Sequence, residues 1–405
     1  MKVLISAYAC EPNRGSEAEV GWRWALENIN AEHDVWVLTR RNNKPVIEDF
    51  LKSSCQANNI NFIYYDLPVL ILKFKQVGNL VHLYYLLWQW GAYKVAKLYH
   101  AEHKFDLVHH VTFVSVRQPS FMGGLGIPFI FGPVGGGESS PKALRKWYSA
   151  KGKWRDALRD AMNAFIKFDP FMHSTFKHAD RIFTTSSQTK NLIPKRYHYK
   201  TDVRLAITTE QLDKPVKAKV LRRTKFKLLF VGRFVYLKGL PILFRALQKL
   251  NVMGERVELT LIGKGEDQKV LCELAKSLNI EKQIIWINWL PHEKLIEEYQ
   301  HYDAFAFPSL RDSGGLVLLE AMKNALPVLC FDLGGPNTII DNTSGIKISS
   351  RNLSSDQAVD AWVDAIKKIS RDNALYHKLS YGALLRVSAF TSESLRRDVY
   401  QRLGL

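Results

Sequence analysis

The sequence predicts an α/β protein of two doubly wound, Rossmann-like domains. A length of 405 residues exceeds what one ordinary core accommodates and suits two. Short apolar, β-rich runs alternate with helical stretches, the pattern of repeated βα units on a parallel sheet. The alternation restarts at Lys225, after a polar, basic stretch at 206–224 that contains Pro215 and reads as an interdomain linker.

In chain order, residues 3–7, 35–39, 61–65, 107–111, 128–132 and 181–185 read as strands buried on both faces. Helical segments fall between them at 17–29, 77–101 and 171–179. The second set of strands is 227–231, 257–262, 284–287, 304–307 and 327–331, with helices at 239–250, 266–278, 292–300 and 315–324. Helical segments at 355–370, 373–388 and 392–403 finish the chain. Domains are expected at 1–205 and 225–388, with 389–405 a C-terminal helix packing back on the first. Ligands of open α/β sheets bind beyond the C-terminal ends of the strands. Two such domains facing a central cleft would carry their sites in the loops after strands.

Composition narrows the class. Hydrophobic residues make up 46% and charged residues 24%, which excludes a disordered chain. The formal net charge is +18, with 28 Lys and Arg against 17 Asp and Glu in residues 1–205, and 29 against 22 in the remainder. Such a field favours anionic partners: nucleotides, nucleic acids or acidic lipid. Cys10, Cys55, Cys272 and Cys330 have no CxxC or zinc-ligand spacing and read as reduced thiols of a cytoplasmic protein. The apolar run at the start is too short for a leader and reads as a first buried strand. Residues 77–93, free of Lys, Arg, Asp and Glu, are short for a membrane span and contain Asn79, His82 and Gln89.

Five clusters carry candidate chemistry. In Gly232-Arg233-Phe234-Val235-Tyr236-Leu237-Lys238-Gly239 a strand end, two cations and a helix start share one loop, which can hold a diphosphate. Asp312-Ser313-Gly314-Gly315-Leu316 leads from a strand into a helix, where glycines let a phosphate or sugar approach backbone N–H groups. Glu320 lies on the apolar face of that helix, where a carboxylate needs a partner; the two hydroxyls of a ribose would be one, an ordinary ion pair another. After strand 1, Gly15 adjoins a helix start that Ser16 and Glu19 would close as a capping box. His109 and His110 end a strand, and of the two His110 lies nearer the sheet's C-terminal edge. Gly135, Gly136 and Gly137, followed by Glu138, form either a ligand-hugging backbone or a flexible turn.

These motifs resemble the retaining glycosyltransferase family 4 (group 1), with the GT-B fold. The resemblance covers nearly the whole chain and is strongest over 228–239, 261–266 and 302–335. It implies an acceptor-side first domain and a nucleotide-sugar donor domain second. Carried over by position, Arg233 and Lys238 would bind the donor diphosphate, Asp312 the donor sugar and Glu320 the ribose. Gly15, Gly232, Gly314, Gly315 and Leu316 would bring backbone against the donor. Gly263-Lys264-Gly265-Glu266 resembles the loop near the nucleotide, and Trp289-Leu290-Pro291 the segment lining the base pocket, with Leu290 against the base and Trp289 either there or in the core. His110 would meet the donor sugar. The departure is Asp312, one methylene shorter than the family's usual Glu. No cofactor is expected, and with no Asp-x-Asp pair in the chain the resemblance implies metal independence. It also implies retention of the anomeric configuration and a role in surface polysaccharide or lipopolysaccharide assembly.

Residues 142–159 interleave seven Lys and Arg with Trp147, Tyr148 and Trp154. They read either as a surface lying on anionic lipid or as a solvated stretch whose aromatics pack inward. The first reading implies a cytoplasmic enzyme, peripheral on the cytoplasmic face of a membrane, with a glycan or lipid-linked acceptor. The aromatic stretch 67–99 either extends that surface or packs as a long helix. Alternatives are a nucleotide-sugar 2-epimerase, a catalytically silent scaffold, and a nucleic-acid-binding protein. The last lacks any recognisable module, so no nucleic-acid partner is expected.

Overall fold

The computed structural model describes residues 1–14, 16–53, 59–68, 81–209, 217–221 and 225–403. The chain divides into two compact units. The first comprises Met1–Gly137, Met162–Ala206 and Ser392–Leu405, and the second Glu138–Ala161 and Ile207–Thr391.

Unit 1 follows β1 (Lys2–Ala7), α1 (Ser16–Asn30), β2 (Asp34–Arg40), α2 (Lys44–Ser53), β3 (Ile60–Tyr65), α3 (Val81–His103), β4 (Leu107–Thr112) and β5 (Phe129–Val134). After α4 (Ala150–Phe165), which begins within the second unit, come α5 (Pro170–His178), β6 (Arg181–Thr184), α6 (Ser187–Lys190) and β7 (Thr201–Val203). The seven strands form one parallel sheet ordered β3-β2-β1-β4-β5-β6-β7. Every residue of β4 and β5 is buried, as central strands covered by helices on both faces must be.

Unit 2 contains β8 (Phe226–Val231), α7 (Leu240–Val252), β9 (Val257–Ile262), α8 (Gln268–Ser277), β10 (Ile284–Ile287), α9 (His292–Glu298) and β11 (Ala304–Phe307). It continues through α10 (Leu316–Lys323), β12 (Val328–Phe331), α11 (Gly334–Ile339), β13 (Gly345–Ile348), α12 (Ser355–Arg371) and α13 (Asn373–Val387). Its parallel sheet runs β10-β9-β8-β11-β12-β13. α12 starts on a complete capping box, Ser354 with Gln357, and fully buries Trp362. The final helix, α14 (Ser392–Gln401), belongs to unit 1, where Val399 and Tyr400 enter the core.

In both sheets the strand order reverses, between β1 and β4 and between β8 and β11. The loops after these strands diverge there, leaving the crevice in which doubly wound sheets hold ligands.

The division departs from a break at 205 in one place: residues 138–161 belong with the second unit. Ser355 Oγ donates to Ala143 O at 2.8 Å, Lys146 pairs with Asp356 at 2.6 Å, and the Arg245 guanidinium lies 4.3 Å over the Trp147 ring. The stretch 142–159 is therefore not the free basic surface of the first expectation, because Arg145 and Tyr148 are buried and several cations are already paired. The charge lean reverses with it. Unit 2 holds 33 Lys and Arg against 23 Asp and Glu, and unit 1 holds 24 against 16.

α4 turns the usual amphipathic arrangement inside out. Gly152, Asp156 and Asn163 face inward, while Trp154, Leu158 and Phe165 are exposed. α3, by contrast, is the packed helix: Tyr84, Tyr85 and Trp88 enter the core of unit 1.

Candidate functional site

The densest gathering of expected site residues lies at the β8/β11 reversal of unit 2. The loop after β8 closes in a 3₁₀ turn, Tyr236–Lys238, before α7 begins. The loop after β11 docks on it, with Leu310 N–H donating to Leu237 O at 2.9 Å. Across the crevice Lys238 Nζ meets Asp312 Oδ2 at 2.5 Å, and the ammonium lies 4.9 Å over the Phe307 ring. Both side chains are largely shielded from water, at 16% and 21% exposed, so their attraction is screened less than a surface pair's. Arg233, in the same loop as Lys238, is exposed and makes no ion pair among the described residues.

Glycines let the neighbouring loops press together. At Gly263 φ is +144°, and a Cβ would stand 2.0 Å from Gly232 O. The loop it opens is tied to the first by Phe234 N–H donating to Lys264 O at 3.1 Å, while Lys264 itself is exposed. Gly334, which sequence reading passed over, has φ +55°, and a Cβ there would meet Asp312 O at 2.0 Å. Gly335 N–H donates to that same carbonyl at 2.8 Å, fixing the backbone that carries Asp312. Gly314 N lies 3.5 Å from Asp312 Oδ1, and Gly315 and the exposed Leu316 lead into α10.

Glu320 is buried on α10, and its partner is Tyr299, whose hydroxyl donates to Oε2 at 2.8 Å. Burial raises the Glu320 carboxyl above its ordinary range, and the Tyr299 hydrogen bond opposes that rise. Leu290 is half-buried and Trp289 is 68% exposed, which removes Trp289 from the core. An ammonium and two helix starts beside a carboxylate can hold an anion and orient hydroxyl groups.

The largest cluster that sequence reading missed centres on Asp156. Fully buried on α4, it pairs with Arg311 and accepts from Tyr236 OH at 3.1 Å, and Arg145 Nε stands 3.6 Å from its other oxygen. Thus Arg311 and Tyr236, one from each crevice loop, meet on one carboxylate.

The candidates of unit 1 do not form a comparable site. His110, expected toward the sugar, is a core histidine: Nδ1 lies 3.3 Å from Ser6 Oγ and Nε2 3.4 Å from Tyr85 OH, and its ring stacks on Phe131. His109 is equally enclosed, between Gly132 O at 2.6 Å and Tyr400 OH at 3.3 Å. Burial pushes their pKa values down to about 3 and about 4, so both rings are neutral at pH 7. Gly15 lies outside the described residues. Glu19, expected in a capping box, gives one oxygen to Arg23 Nε at 3.0 Å. The glycine run is held rather than loose, because Arg117 Nη1 donates to Gly136 O at 2.9 Å and to Asn163 Oδ1 at 2.7 Å.

Residues 213–386, which include the unit 2 candidates from Gly232 to Glu320, match the family described as glycosyl transferases group 1. Over this stretch the chain is similar to the group 1 glycosyl transferases. Curated relatives of this stretch include D-inositol 3-phosphate glycosyltransferases. That of Corynebacterium urealyticum is 31% identical over 167 residues, covering 39% of this chain and 36% of the relative. That of Corynebacterium diphtheriae is 27% identical over 169 residues, covering 40% and 38%. The chain thus spans little more than a third of the curated relatives it matches. Solved structures resemble the chain over its whole length. The lipopolysaccharide outer core galactosyltransferase WaaB superposes with TM-score 0.64 at 14% identity, covering 99% of this chain and 100% of WaaB. HepE of Anabaena, solved with UDP-glucose, gives TM-score 0.54 at 15% identity, covering 100% and 99%. These likenesses establish the GT-B fold of this chain.

Proposed function

We propose that the chain transfers a sugar from a nucleoside-diphosphate donor to a glycan or lipid-linked acceptor, with retention at the anomeric carbon. The observation that carries this reading is the crevice at β8 and β11, where Lys238, Asp312 and Glu320 stand beside two helix starts. In this reading Lys238 and Arg233 take the negative charge that develops on the departing diphosphate, so no metal ion is required. Asp312 accepts from sugar hydroxyls and Glu320 from the ribose. Attack comes from the face the diphosphate leaves, and a donor phosphate oxygen takes the acceptor's proton. The UDP and UDP-glucose bound by HepE support a nucleotide-sugar donor. The test is a thermal-shift and calorimetric screen of UDP-, GDP-, ADP- and dTDP-sugars on the wild type and Glu320→Ala. One nucleotide should stabilise the wild type, by about 2.7 kcal/mol at one hundred times its dissociation constant. The variant should lose that response. Silence from all four removes the donor site.

We also propose that the acceptor is reached at the cytoplasmic face of an anionic membrane, for surface polysaccharide or lipopolysaccharide assembly. No helix among the described residues is long and apolar enough to cross a membrane. Support comes from an aromatic strip on unit 1. Trp90, half exposed, meets Phe121 edge-on at 5.3 Å, and Phe121 meets Phe171 at 6.0 Å. Phe165 and Phe168 are 67% and 75% exposed, and Lys94 lies 5.6 Å over the Trp90 ring. Apolar rings rimmed by lysine suit an anionic lipid interface. The protein is expected to sediment with phosphatidylglycerol-rich vesicles at low salt, and Trp90→Ala/Phe168→Ser to bind at least tenfold less. Equal recovery with pure phosphatidylcholine would overturn the electrostatic part. No binding to either would overturn the docking.

A further inference from the structure

We propose that Asp156 is a positioning residue of the donor site. Its carboxylate, delivered by residues 138–161 from the N-terminal half of the sequence, fixes the loop that carries Asp312. The proposal rests on the nucleotide-sugar reading above and adds an element that no motif of the second half contains.

Four observations carry it. First, Asp156 is fully buried, and Arg311, the residue before Asp312, pairs with its Oδ1. Second, the Tyr236 hydroxyl donates to the same oxygen at 3.1 Å and lies 3.5 Å from Arg311 Nη2, so the β8 and β11 loops are joined through one acceptor. Third, α4 is shaped to the contact: a Cβ at Gly152 would stand 3.0 Å from Tyr236 Cδ2, and Tyr148 meets the Tyr236 ring edge-on at 4.8 Å. Fourth, the α4 end of the cluster is itself anchored, since Arg145 reaches Asp160 Oδ2 at 2.8 Å and Asp156 Oδ2 at 3.6 Å.

A buried ion pair adds little net stability over a well-packed apolar pair, whereas breaking one partner leaves an uncompensated charge. What the pair does supply is direction. It fixes the Arg311 backbone, and Ser309 Oγ donating to Arg311 O at 3.2 Å braces it from the other side. The adjacent Asp312 is thereby held toward Lys238, in the orientation from which it would meet a sugar.

This separates two binding energies. In the donor reading a bare nucleoside diphosphate contacts the loop backbone, the cations and Glu320, and depends on the orientation of Asp312 only indirectly, through Lys238. A nucleotide sugar needs that orientation directly. The experiment is calorimetry on the full chain with UDP and UDP-glucose, and with the GDP, ADP and dTDP pairs. The variants are Asp156→Asn, Tyr236→Phe and the paired apolar replacement Asp156→Leu/Arg311→Met. We expect Asp156→Asn to lower the melting temperature and the double variant to regain most of it. In the double variant and in Tyr236→Phe, affinity for the sugar nucleotide should fall, by tenfold or more and by about threefold respectively, while affinity for the matching diphosphate changes less than threefold. If the two affinities fall together, or neither falls, in a variant that melts like the wild type, Asp156 is a structural pair and the proposal is overturned. Should the double variant fail to fold, Tyr236→Phe alone decides by the same criterion. If the wild type binds none of the eight ligands, the donor reading itself fails, and this proposal with it.

Discussion

Lys238→Met is expected to reduce sugar transfer by about 10²–10³-fold, the scale on which loss of one preorganised donor to a developing charge is felt. Methionine keeps an apolar stem against the Phe307 ring and removes only the charge. That charge is paired with Asp312 at 2.5 Å rather than left in water, so on the proposed reading the lysine is oriented before a diphosphate arrives. On that reading the loss should appear mainly in kcat, since the charge Lys238 would answer grows as the sugar departs. The check is turnover at saturating donor beside nucleotide affinity. A variant that turns over like the wild type would remove Lys238 from the chemistry.

Glu320→Gln is expected to weaken nucleotide binding by about 10- to 100-fold, because hydrogen bonds to a charged acceptor are worth about 1.5–3 kcal/mol. The same change is expected to raise the melting temperature at pH 7. Burial holds the Glu320 carboxyl above its ordinary pKa, so the folded chain keeps this proton to higher pH than the unfolded chain does. The ionised carboxylate thus destabilises the fold at neutral pH, and the penalty disappears as pH falls below the ordinary glutamate value of about 4.3. Glutamine retains an oxygen for the Tyr299 hydroxyl and carries no charge. Melting curves of the two proteins should differ at pH 7 and converge toward pH 4. A variant that melts below the wild type at pH 7 would show that the carboxylate is held for stability rather than for a ligand.

Much of the architecture is legible in the sequence because parallel strands covered on both faces must be apolar throughout. β11 and β12 announce themselves as such runs. β13 does not, because Lys347 interrupts four residues, and β7 is only three residues long. α4 is hidden for the opposite reason. Its inward face is Gly152, Asp156 and Asn163, and its exposed face holds the tryptophan and phenylalanine that a periodicity argument would send inside. The crevice was legible where one loop holds all the information, as in the cations of 232–238 and the glycines after Asp312. It was not legible where partners are distant. The sequence demanded a partner for Glu320 without offering Tyr299, 21 residues earlier. It could not show that Arg311 reaches back 155 residues to Asp156. The enclosure of His110 is hidden too, because strand alternation says which face a residue points to, but not that Ser6 and Tyr85 stand there.

Each compact unit is assembled from separate stretches of chain, and α14 completes a core begun by β1. During synthesis this sets an order of events. Trp24 and His109 emerge early, yet Tyr400, which packs on both, is the last of the three to leave the ribosome. At about 5–20 residues per second, the stretch from 206 to 392 takes roughly 10–40 s to make, and unit 1 spends that time with one side of its core open. Cutting the gene at the linker would therefore yield two fragments, each missing a piece of its own interior, and neither half should fold cleanly alone. Co-expressed, the two fragments should recover each other, because each carries a helix the other lacks.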